Sequence, residues 1–282
     1  MIMRIERPSW VNKKINLADC TALKTKLRGL NLGTVCEEAL CPNIGECFAR
    51  GVATFLILGK NCTRQCTFCA VKRGMPSPVD PDEPRRVAEG VQRLGLIHAV
   101  ITSVTRDDLP DGGAQAFVDT ILAIRRFSVA VTVELLIPDF RLNKDALRRV
   151  IAAEPDILAH NIETVPRLYR QAREGADYTR SLDVLRFIKE CGSSLPAKSG
   201  IMLGLGETDD EVLGTFEDIA ATGCSLLSIG QYLAPSKNHL PVKEYIKPEK
   251  FDHLKEKALG MGFRRVVSGP YVRSSYHASE YL

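Results

Sequence analysis

The chain has 282 residues, of which 45% are hydrophobic, so it is long enough for one large domain with a substantial core. It contains no run of about 20 consecutive apolar residues, which excludes a membrane-spanning helix. The first ten residues are charged and include Pro8, so no signal peptide is predicted and we expect a cytoplasmic protein.

The excess positive charge lies at the N-terminus. Residues 1–30 carry seven basic and two acidic side chains, whereas the remaining residues carry 31 basic and 32 acidic ones. A basic segment of this kind is compatible with a solvated surface or with a docking surface for an acidic protein. Nucleic acid is disfavoured as a partner because no aromatic stacking platform accompanies the lysines.

From residue 53 onward, apolar β-rich runs alternate with helical patterns, and this alternation predicts repeated βα units with a parallel sheet. Asp82 and Asp209 are predicted helix starts, and Gly95, Gly192 and Gly223 are predicted helix ends. The predicted helices lie near 82–95, 114–126, 143–153, 178–190 and 208–222. The predicted strands are Ala53–Leu58, His98–Thr102, Val131–Ile137, Ile157–Asn161, Lys198–Leu205 and Leu226–Tyr232.

Six βα units are fewer than the eight of a closed barrel. The predicted fold class is therefore α/β, with an open, partial (β/α)6 TIM-like barrel at residues 53–245, an N-terminal extension at 1–52 and a C-terminal extension at 246–282. Since parallel barrels carry their reactive groups on the loops that follow the strands, we expect chemistry in the loop after the first strand.

Nine cysteines cannot all form disulfides within one chain, because their number is odd. Six of them lie in two tight groups between residues 36 and 69, a spacing more typical of metal binding or catalysis than of disulfides. The isolated Cys20, Cys191 and Cys224 are predicted to be ordinary small residues, buried or inert.

The loop after the first predicted strand carries a CxxxCxxC motif, formed by Cys62, Cys66 and Cys69, with Phe68 before the last cysteine. Three thiolates can hold three irons of a four-iron cubane and leave the fourth iron without a protein ligand. That iron can chelate the amino and carboxylate groups of S-adenosylmethionine (SAM), whose reductive cleavage gives a 5′-deoxyadenosyl radical. A zinc site or a fully ligated electron-transfer cluster would need a fourth protein ligand, and no fourth cysteine follows in the pattern. The motif therefore predicts radical SAM chemistry.

The upstream group, formed by Cys36, Cys41 and Cys47, has the spacing CxxxxCxxxxxC. Taken alone, it fits a second cubane that lacks one cysteine ligand, or a structural zinc completed by a distant histidine.

Seven segments, in one order along nearly the whole chain from about Pro8 to Ala278, resemble the lipoyl synthase family. They are Thr34–Cys47, Ala53–Gly59, Thr102–Gly113, His160–Glu163, Lys198–Thr208, Gly230–Leu233 and Arg273–Ala278.

The resemblance implies two 4Fe–4S clusters and SAM as cofactors. Cys36, Cys41 and Cys47 are then ligands of an auxiliary cluster, with Ser275 as the fourth ligand and Ser274 as the alternative. An oxygen donor suits such a cluster poorly, so its iron should be the easiest to lose. That lability fits the reaction of the family, in which the auxiliary cluster is consumed to insert two sulfur atoms at C6 and C8 of a protein-bound octanoyl chain.

The same resemblance implies that Cys62, Cys66, Cys69 and Ser275 serve catalysis. The substrate would be octanoyl-lysine on an acidic lipoyl carrier domain of a 2-oxoacid dehydrogenase or on the glycine cleavage H protein, which suits the basic N-terminus. An electron donor such as flavodoxin or ferredoxin is implied as a second partner.

Further residues are candidate SAM contacts, namely Phe68, Asn161, Glu163 and Arg106. Asn161 and Glu163 could hold the SAM ribose or make ordinary loop hydrogen bonds. Arg106, Asp107 and Asp108 could meet the methionine end of SAM or pair among themselves.

Lys198 opens a predicted strand and is expected at the rim opposite the active face. Ser199, His239 and His277 are expected to be structural.

Two other functions compete with this interpretation. Another sulfur-inserting radical SAM enzyme, similar to biotin synthase or the methylthiotransferases, would share the CxxxCxxC loop but lack the paired upstream cysteines and the RSSYHA tail. A non-catalytic iron–sulfur or zinc protein would use the cysteines for structure alone.

Overall fold

We describe the protein from a computed structural model, which gives residues 6–12, 25, 29–30, 32–35, 43, 46–47, 52–192, 194–276 and 278–281. The predictions for Cys20, Cys36, Cys41 and His277, and for most of the basic N-terminal segment, lie outside these described residues.

Strands and helices alternate along the described chain, as the sequence predicts. The strands are β1 (Gly33–Thr34), β2 (Val52–Ile57), β3 (Asn61–Cys62), β4 (Lys72–Arg73), β5 (His98–Ser103), β6 (Thr132–Leu136), β7 (Ile157–Ala159), β8 (Ala197–Leu203), β9 (Leu226–Gln231) and β10 (Arg265–Gly269). The α-helices are α1 (Glu83–Arg93), α2 (Ala114–Phe127), α3 (Lys144–Ala152), α4 (Pro166–Ala172), α5 (Tyr178–Cys191), α6 (Asp209–Ala221) and α7 (Pro248–Gly260). Short 3-10 helices lie at Ser9–Val11, Phe140–Leu142 and Ala278–Tyr281.

The described residues form an eight-stranded sheet in the order β1-β2-β5-β6-β7-β8-β9-β10. Strands β2 to β10 of this sheet pair in parallel, and β1 pairs with β2 antiparallel. All six predicted strands are present, and the predicted α/β fold class with a partial barrel is confirmed. Two strands outside residues 53–245, β1 and β10, extend the sheet at its two edges.

Local sequence explains the helix boundaries. Thr208 and Glu211 form a capping box at α6, in which the Thr208 hydroxyl accepts a hydrogen bond from the Glu211 N–H and the Glu211 carboxylate accepts one from the Thr208 N–H. Gly192 directly follows α5, while Gly95 and Gly223 have positive φ just beyond α1 and α6, as expected for helix ends.

The core lies between the sheet and the surrounding helices. All six residues of β2 are buried, which is the pattern of a parallel strand covered on both faces. Helix α2 buries Phe117, Ile121 and Ile124, whose spacing places them on one helical face. Within the ranges given above, none of the helices combines the length and the apolar character that a membrane span requires.

Ala278 and Tyr281, in the last part of the C-terminal tail, pack against the N-terminal halves of the strands. Ala278 lies in an apolar cluster with Val52, and the Tyr281 side chain lies in another with Ile157 and Leu226. These last residues therefore lie at the end of the barrel opposite the loops in which the chemistry is predicted, whereas Ser274, earlier in the tail, contacts Asn161 beyond the end of β7.

Candidate active site

The CxxxCxxC motif lies in a loop closed by its own small sheet. Strand β3, which contains Cys62, pairs in parallel with β4, so the two ends of the loop lie side by side. The middle of the loop is fixed from two sides, because the Thr67 N–H donates to the Ala172 carbonyl (3.0 Å) and the Thr67 carbonyl accepts from the Leu240 N–H (3.1 Å). The loop is thus held by helix α4 and by the segment after β9.

The sulfur atoms of this loop lie in an environment suited to a cationic cluster. The Cys62 Sγ accepts backbone N–H hydrogen bonds from Arg64 (3.4 Å) and Thr105 (3.3 Å). Burial raises the pKa of the Cys66 thiol and raises that of Cys69 to about 12, and the neighbouring cysteines add to both shifts. Three thiolates can therefore ionise together only with a positive partner, which iron supplies.

The same cysteines are not arranged around one ion. Among the residues that the structure describes, no three His, Cys, Asp or Glu side chains converge on a position for a single metal. A cubane binds each thiolate at a different iron, so it accepts cysteines spread more widely than the ligands of one zinc. The three cysteines of this loop are therefore compatible with the ligation of a cubane.

Arg64, inside the motif, ties the loop to two neighbouring βα loops. Its guanidinium forms bidentate pairs with Asp107 (2.8 and 3.0 Å) and with Asp139 (2.6 and 2.9 Å). Asp139 also accepts from Arg180 Nε (2.8 Å), and its side chain has no exposed surface. Neither Arg64 nor Asp139 was predicted to act at the site, although both directly adjoin predicted active-face elements.

The end of β7 presents the predicted Asn161 and Glu163 at the same rim. The Asn161 Nδ2 donates to the Glu163 carboxylate (3.0 Å), and burial raises the pKa of Glu163. Glu163 has φ of 72°, a left-handed conformation held by the hydrogen bonds of its backbone to Gly200 and Met202. Strand β7 ends at Ala159, two residues before Asn161, so both residues lie beyond the strand, where Glu163 still bridges to Ile201 of β8.

Arg173 was missed by the sequence analysis and lies in the same place. Its Nη1 donates to the Asn161 carbonyl (2.8 Å), and its charge acts on both Cys66 and Glu163. The buried Arg173 Nε and the buried Asn161 Oδ1 have no hydrogen-bond partner among the described residues. Buried polar atoms are rarely left unpaired, so this rim has the character of a site for a polar ligand.

Arg106 pairs with a neighbour in its own loop, the second of the two arrangements expected from the sequence. It is buried, and its guanidinium donates to the Asp108 carboxylate (2.8 and 2.9 Å) and to the Leu58 carbonyl (3.4 Å). Asp107 pairs instead with Arg64 and with Arg141. The Phe68 side chain is partly buried against the hydrophobic core.

The described part of the second cysteine group lies beside the C-terminal tail. Cys47 is buried, and its neighbours make two contacts with that tail. The Asn43 Nδ2 donates to the Tyr271 carbonyl (2.6 Å), and the Tyr276 hydroxyl donates to the Glu46 carboxylate (3.1 Å). These two contacts bracket the serine pair at 274 and 275.

The two serines differ in their surroundings. The Ser274 hydroxyl accepts a hydrogen bond from Asn161 Nδ2 (2.5 Å), and its carbonyl accepts one from Lys198 Nζ (2.6 Å). The Ser275 side chain is half-buried and makes no hydrogen bond to the described residues. Ser275 is therefore the serine whose oxygen is available to a ligand.

The remaining residues take supporting positions. The His239 ring bonds the Ser236 hydroxyl (2.8 Å) and the Cys69 carbonyl (3.1 Å), and the Ser199 hydroxyl donates to the His160 carbonyl (2.9 Å). Cys224 is buried, one of the two alternatives expected for the isolated cysteines, and Cys191 is exposed at the end of α5.

Comparison with known proteins identifies relatives over the whole length. Residues 56–219 match the family described as the Radical SAM superfamily. The chain is 58% identical over 277 residues to the lipoyl synthase of Geobacter metallireducens, covering 98% of each chain. It is 59% identical over 280 residues to the lipoyl synthase of Geobacter sulfurreducens, covering 99% of this chain and 92% of the relative.

Solved structures support the fold. The hydrogenase maturase HydG has a TM-score of 0.60 at 16% identity, covering 92% of this chain and 67% of its own. Methylornithine synthase has a TM-score of 0.55 at 16% identity, covering 91% of this chain and 77% of its own. At these identities the likeness concerns the partial barrel alone.

Proposed function

Because the chain belongs to the lipoyl synthase family of radical SAM enzymes, we propose that it inserts two sulfur atoms at C6 and C8 of an octanoyl chain bound to a carrier lysine. Its cofactors are two 4Fe–4S clusters and SAM. When bound, these groups supply a 5′-deoxyadenosyl radical for hydrogen abstraction and a sulfide for transfer to carbon.

We assign Cys62, Cys66 and Cys69 to the cluster that binds SAM. The backbone N–H groups directed at the Cys62 Sγ support this assignment. The N–H donors stabilise a thiolate, and burial excludes water from the sulfur atoms.

The SAM contacts that we propose are Phe68, Asn161, Glu163 and Arg106. The unpartnered Asn161 Oδ1 is available to a ribose hydroxyl, and the nearby Arg173 Nε is available to an anionic group. Arg106 binds Asp108 and the Leu58 carbonyl, and these bonds fix its guanidinium beside the loop after β2.

The auxiliary cluster would be held by Cys36, Cys41, Cys47 and Ser275. The contacts of Asn43 and Glu46 with the tail support the pairing of the cysteine segment with Ser275. The engagement of Ser274 by Asn161 and Lys198 supports Ser275 over Ser274 as the oxygen ligand.

One observation carries the proposed function. The Asn161 Nδ2 donates one hydrogen bond to the Glu163 carboxylate and another to the Ser274 hydroxyl, so the rim assigned to SAM adjoins the tail assigned to the sulfur donor. A substrate carbon placed between them could lose hydrogen on one side and meet sulfide on the other without leaving the barrel.

The substrate would be octanoyl-lysine on a lipoyl domain of a 2-oxoacid dehydrogenase or on the glycine cleavage H protein. The positive charge of residues 1–30 suits an acidic carrier. We propose flavodoxin or ferredoxin as electron donor and a cytoplasmic location, because cluster thiolates require a reducing compartment.

Mass spectrometry of an octanoyl-lysine peptide tests the function after anaerobic incubation with the reconstituted protein, SAM and dithionite. We expect a product with two added sulfur atoms and about eight irons per chain before the reaction. Formation of deoxyadenosine with no sulfur added to the peptide would still support the radical step but would overturn lipoyl synthesis as the function.

A serine replacement tests the sulfur donor. Ser275→Cys should keep the iron and suppress sulfur transfer, since a thiolate binds iron more firmly than an alkoxide. Ser274→Ala is the matched control and should leave the iron content near that of the parent chain. Full activity of Ser275→Cys would contradict a labile oxygen ligand.

A further inference from the structure

A buried ion pair crosses the barrel interior, away from the cysteine loop. The Lys198 side chain on β8 and the Glu134 side chain on β6 have 0% exposure, and the Lys198 Nζ lies 2.9 and 3.1 Å from the two carboxylate oxygens. Strands β6 and β8 are separated by β7, so the two side chains belong to one inward-facing layer of alternate strands. His98 stands on the other side of Glu134, with 3.7 Å between its Nε2 and the carboxylate.

The same ammonium group also binds the C-terminal tail. The Lys198 Nζ donates to the Ser274 carbonyl (2.6 Å) and lies 3.8 Å from the centroid of the Tyr281 ring. Two protons directed at Glu134 and one at Ser274 use all three donors of the ammonium. Lys198 thus connects the rigid strands with the segment that carries the serine pair.

A buried ion pair does not by itself indicate a gain in stability, because desolvation opposes the attraction between the charges. The informative feature is the third bond, which reaches a loop carbonyl rather than another strand. Ser274 is held from two directions, by Lys198 at its carbonyl and by Asn161 at its hydroxyl. Its neighbour Ser275 inherits a fixed backbone and keeps a free hydroxyl.

We propose that Lys198 is a positioning residue that, through the Ser274 carbonyl, holds Ser275 at the auxiliary cluster, with Glu134 fixing the direction of the ammonium. This inference rests on the proposed function. An oxygen ligand that leaves and rebinds iron readily stays bound for longer when its backbone is fixed, because the local concentration of the ligand remains high. Lys198 supplies that restraint without touching the cluster.

The test uses the full chain with Cys62→Ala, Cys66→Ala and Cys69→Ala, so that only the auxiliary cluster is reconstituted. Lys198→Met is combined with Glu134→Gln, because replacing both partners leaves no unpaired buried charge. We expect release of iron to a chelator to become about tenfold faster, the change expected from losing one charge-assisted hydrogen bond. Tyr281→Phe removes a tail hydrogen bond to Leu227 and keeps the ring, so it is the matched control with an unchanged rate.

A double-mutant cycle separates positioning from general damage to the fold. In a Ser275→Ala background, the Lys198 and Glu134 replacements should change the rate of iron release less than twofold, because their effect passes through Ser275. Equal effects with and without Ser275 would overturn the proposal, even if the variants are less stable. The proposal would also be overturned if the chain with both Lys198→Met and Glu134→Gln released iron as fast as the chain without these two replacements.

The iron content of the chain with Cys62→Ala, Cys66→Ala and Cys69→Ala distinguishes this inference from the proposed function on which it rests. About four irons per chain in this background would support the auxiliary cluster. The double-mutant cycle then tests only whether Lys198 positions Ser275. A folded background chain that binds no iron would overturn both.

Discussion

Replacing Arg64 by lysine tests how the cysteine loop is anchored. The Arg64 side chain is 6% exposed and makes four hydrogen bonds, two to Asp107 and two to the fully buried Asp139. Lysine keeps the charge but lacks the planar guanidinium that pairs with two carboxylates at once, so it can retain only about two of these four contacts. The substitution therefore measures geometry rather than charge.

The expected loss follows from the bonds removed. A hydrogen bond to a charged group contributes about 1.5 kcal/mol at the lower end of its range, so losing two costs about 3 kcal/mol. Arg180 keeps a bond to Asp139, so the buried carboxylate is not left unpaired. We expect Arg64→Lys to lower the free energy of unfolding of the metal-free chain by about 3 kcal/mol.

Urea unfolding of metal-free protein, followed by circular dichroism, measures this change. Arg148→Lys is the matched control, since Arg148 is 57% exposed and pairs with Asp145 within one helical turn. That control should lose less than about 0.5 kcal/mol. An Arg64→Lys variant as stable as the control would refute the view that the bidentate network fixes the loop.

Three further predictions concern other parts of the site. Burial lowers the pKa of His160 from 6.5 to about 4, so as the pH falls this residue takes up a proton in the unfolded chain before it does in the folded chain. Between pH 7 and 5 the free energy of unfolding should therefore drop by about 2 kcal/mol more in the parent chain than in His160→Asn. Urea titration of both chains at the two pH values measures this difference. Equal pH dependences would contradict a neutral buried imidazole. Gly230→Ala should displace the tail, since an added Cβ would lie 2.1 Å from the Val272 carbonyl oxygen. The iron content per chain should then fall toward that of a single cluster. Iron analysis checks this, with Gly260→Ala at an exposed position as the control. In metal-free protein at pH 7, iodoacetamide should modify the exposed Cys191 before Cys69, whose pKa burial raises to about 12; peptide mapping that found Cys69 modified first would refute this order.

The sequence was sufficient for the elements that repeat a strong local pattern. The six predicted strands are short, β-rich runs in which apolar residues predominate, and both Asp82 and Asp209 lie at helix starts. Strand β10 was missed because it is short and largely half-exposed, with only Val266 buried. Helix α4 was missed because it has seven residues, too few for a clear helical period.

The candidate site likewise contains a part that local sequence predicts and a part that it does not. The cysteine loop is a local motif and could be predicted from its spacing and its position after β2. The partners of Arg64 and Lys198 could not, because Arg64 and Asp139 are 75 residues apart and Lys198 and Ser274 are 76 apart. Such pairs depend on which side chains share the barrel interior, and periodicity along one strand does not encode that.

The contacts between the two ends of the chain have a consequence for biosynthesis. Asn43 and Tyr271 are 228 residues apart, and Glu46 and Tyr276 are 230 apart. At translation speeds of about 5–20 residues per second, the early cysteine segment waits roughly 10–50 s on the ribosome before its late partner is made. Under the proposed assignment, iron delivered during that interval would meet three thiolates and no serine, so the sulfur-donating centre can be completed only after the tail has been synthesised.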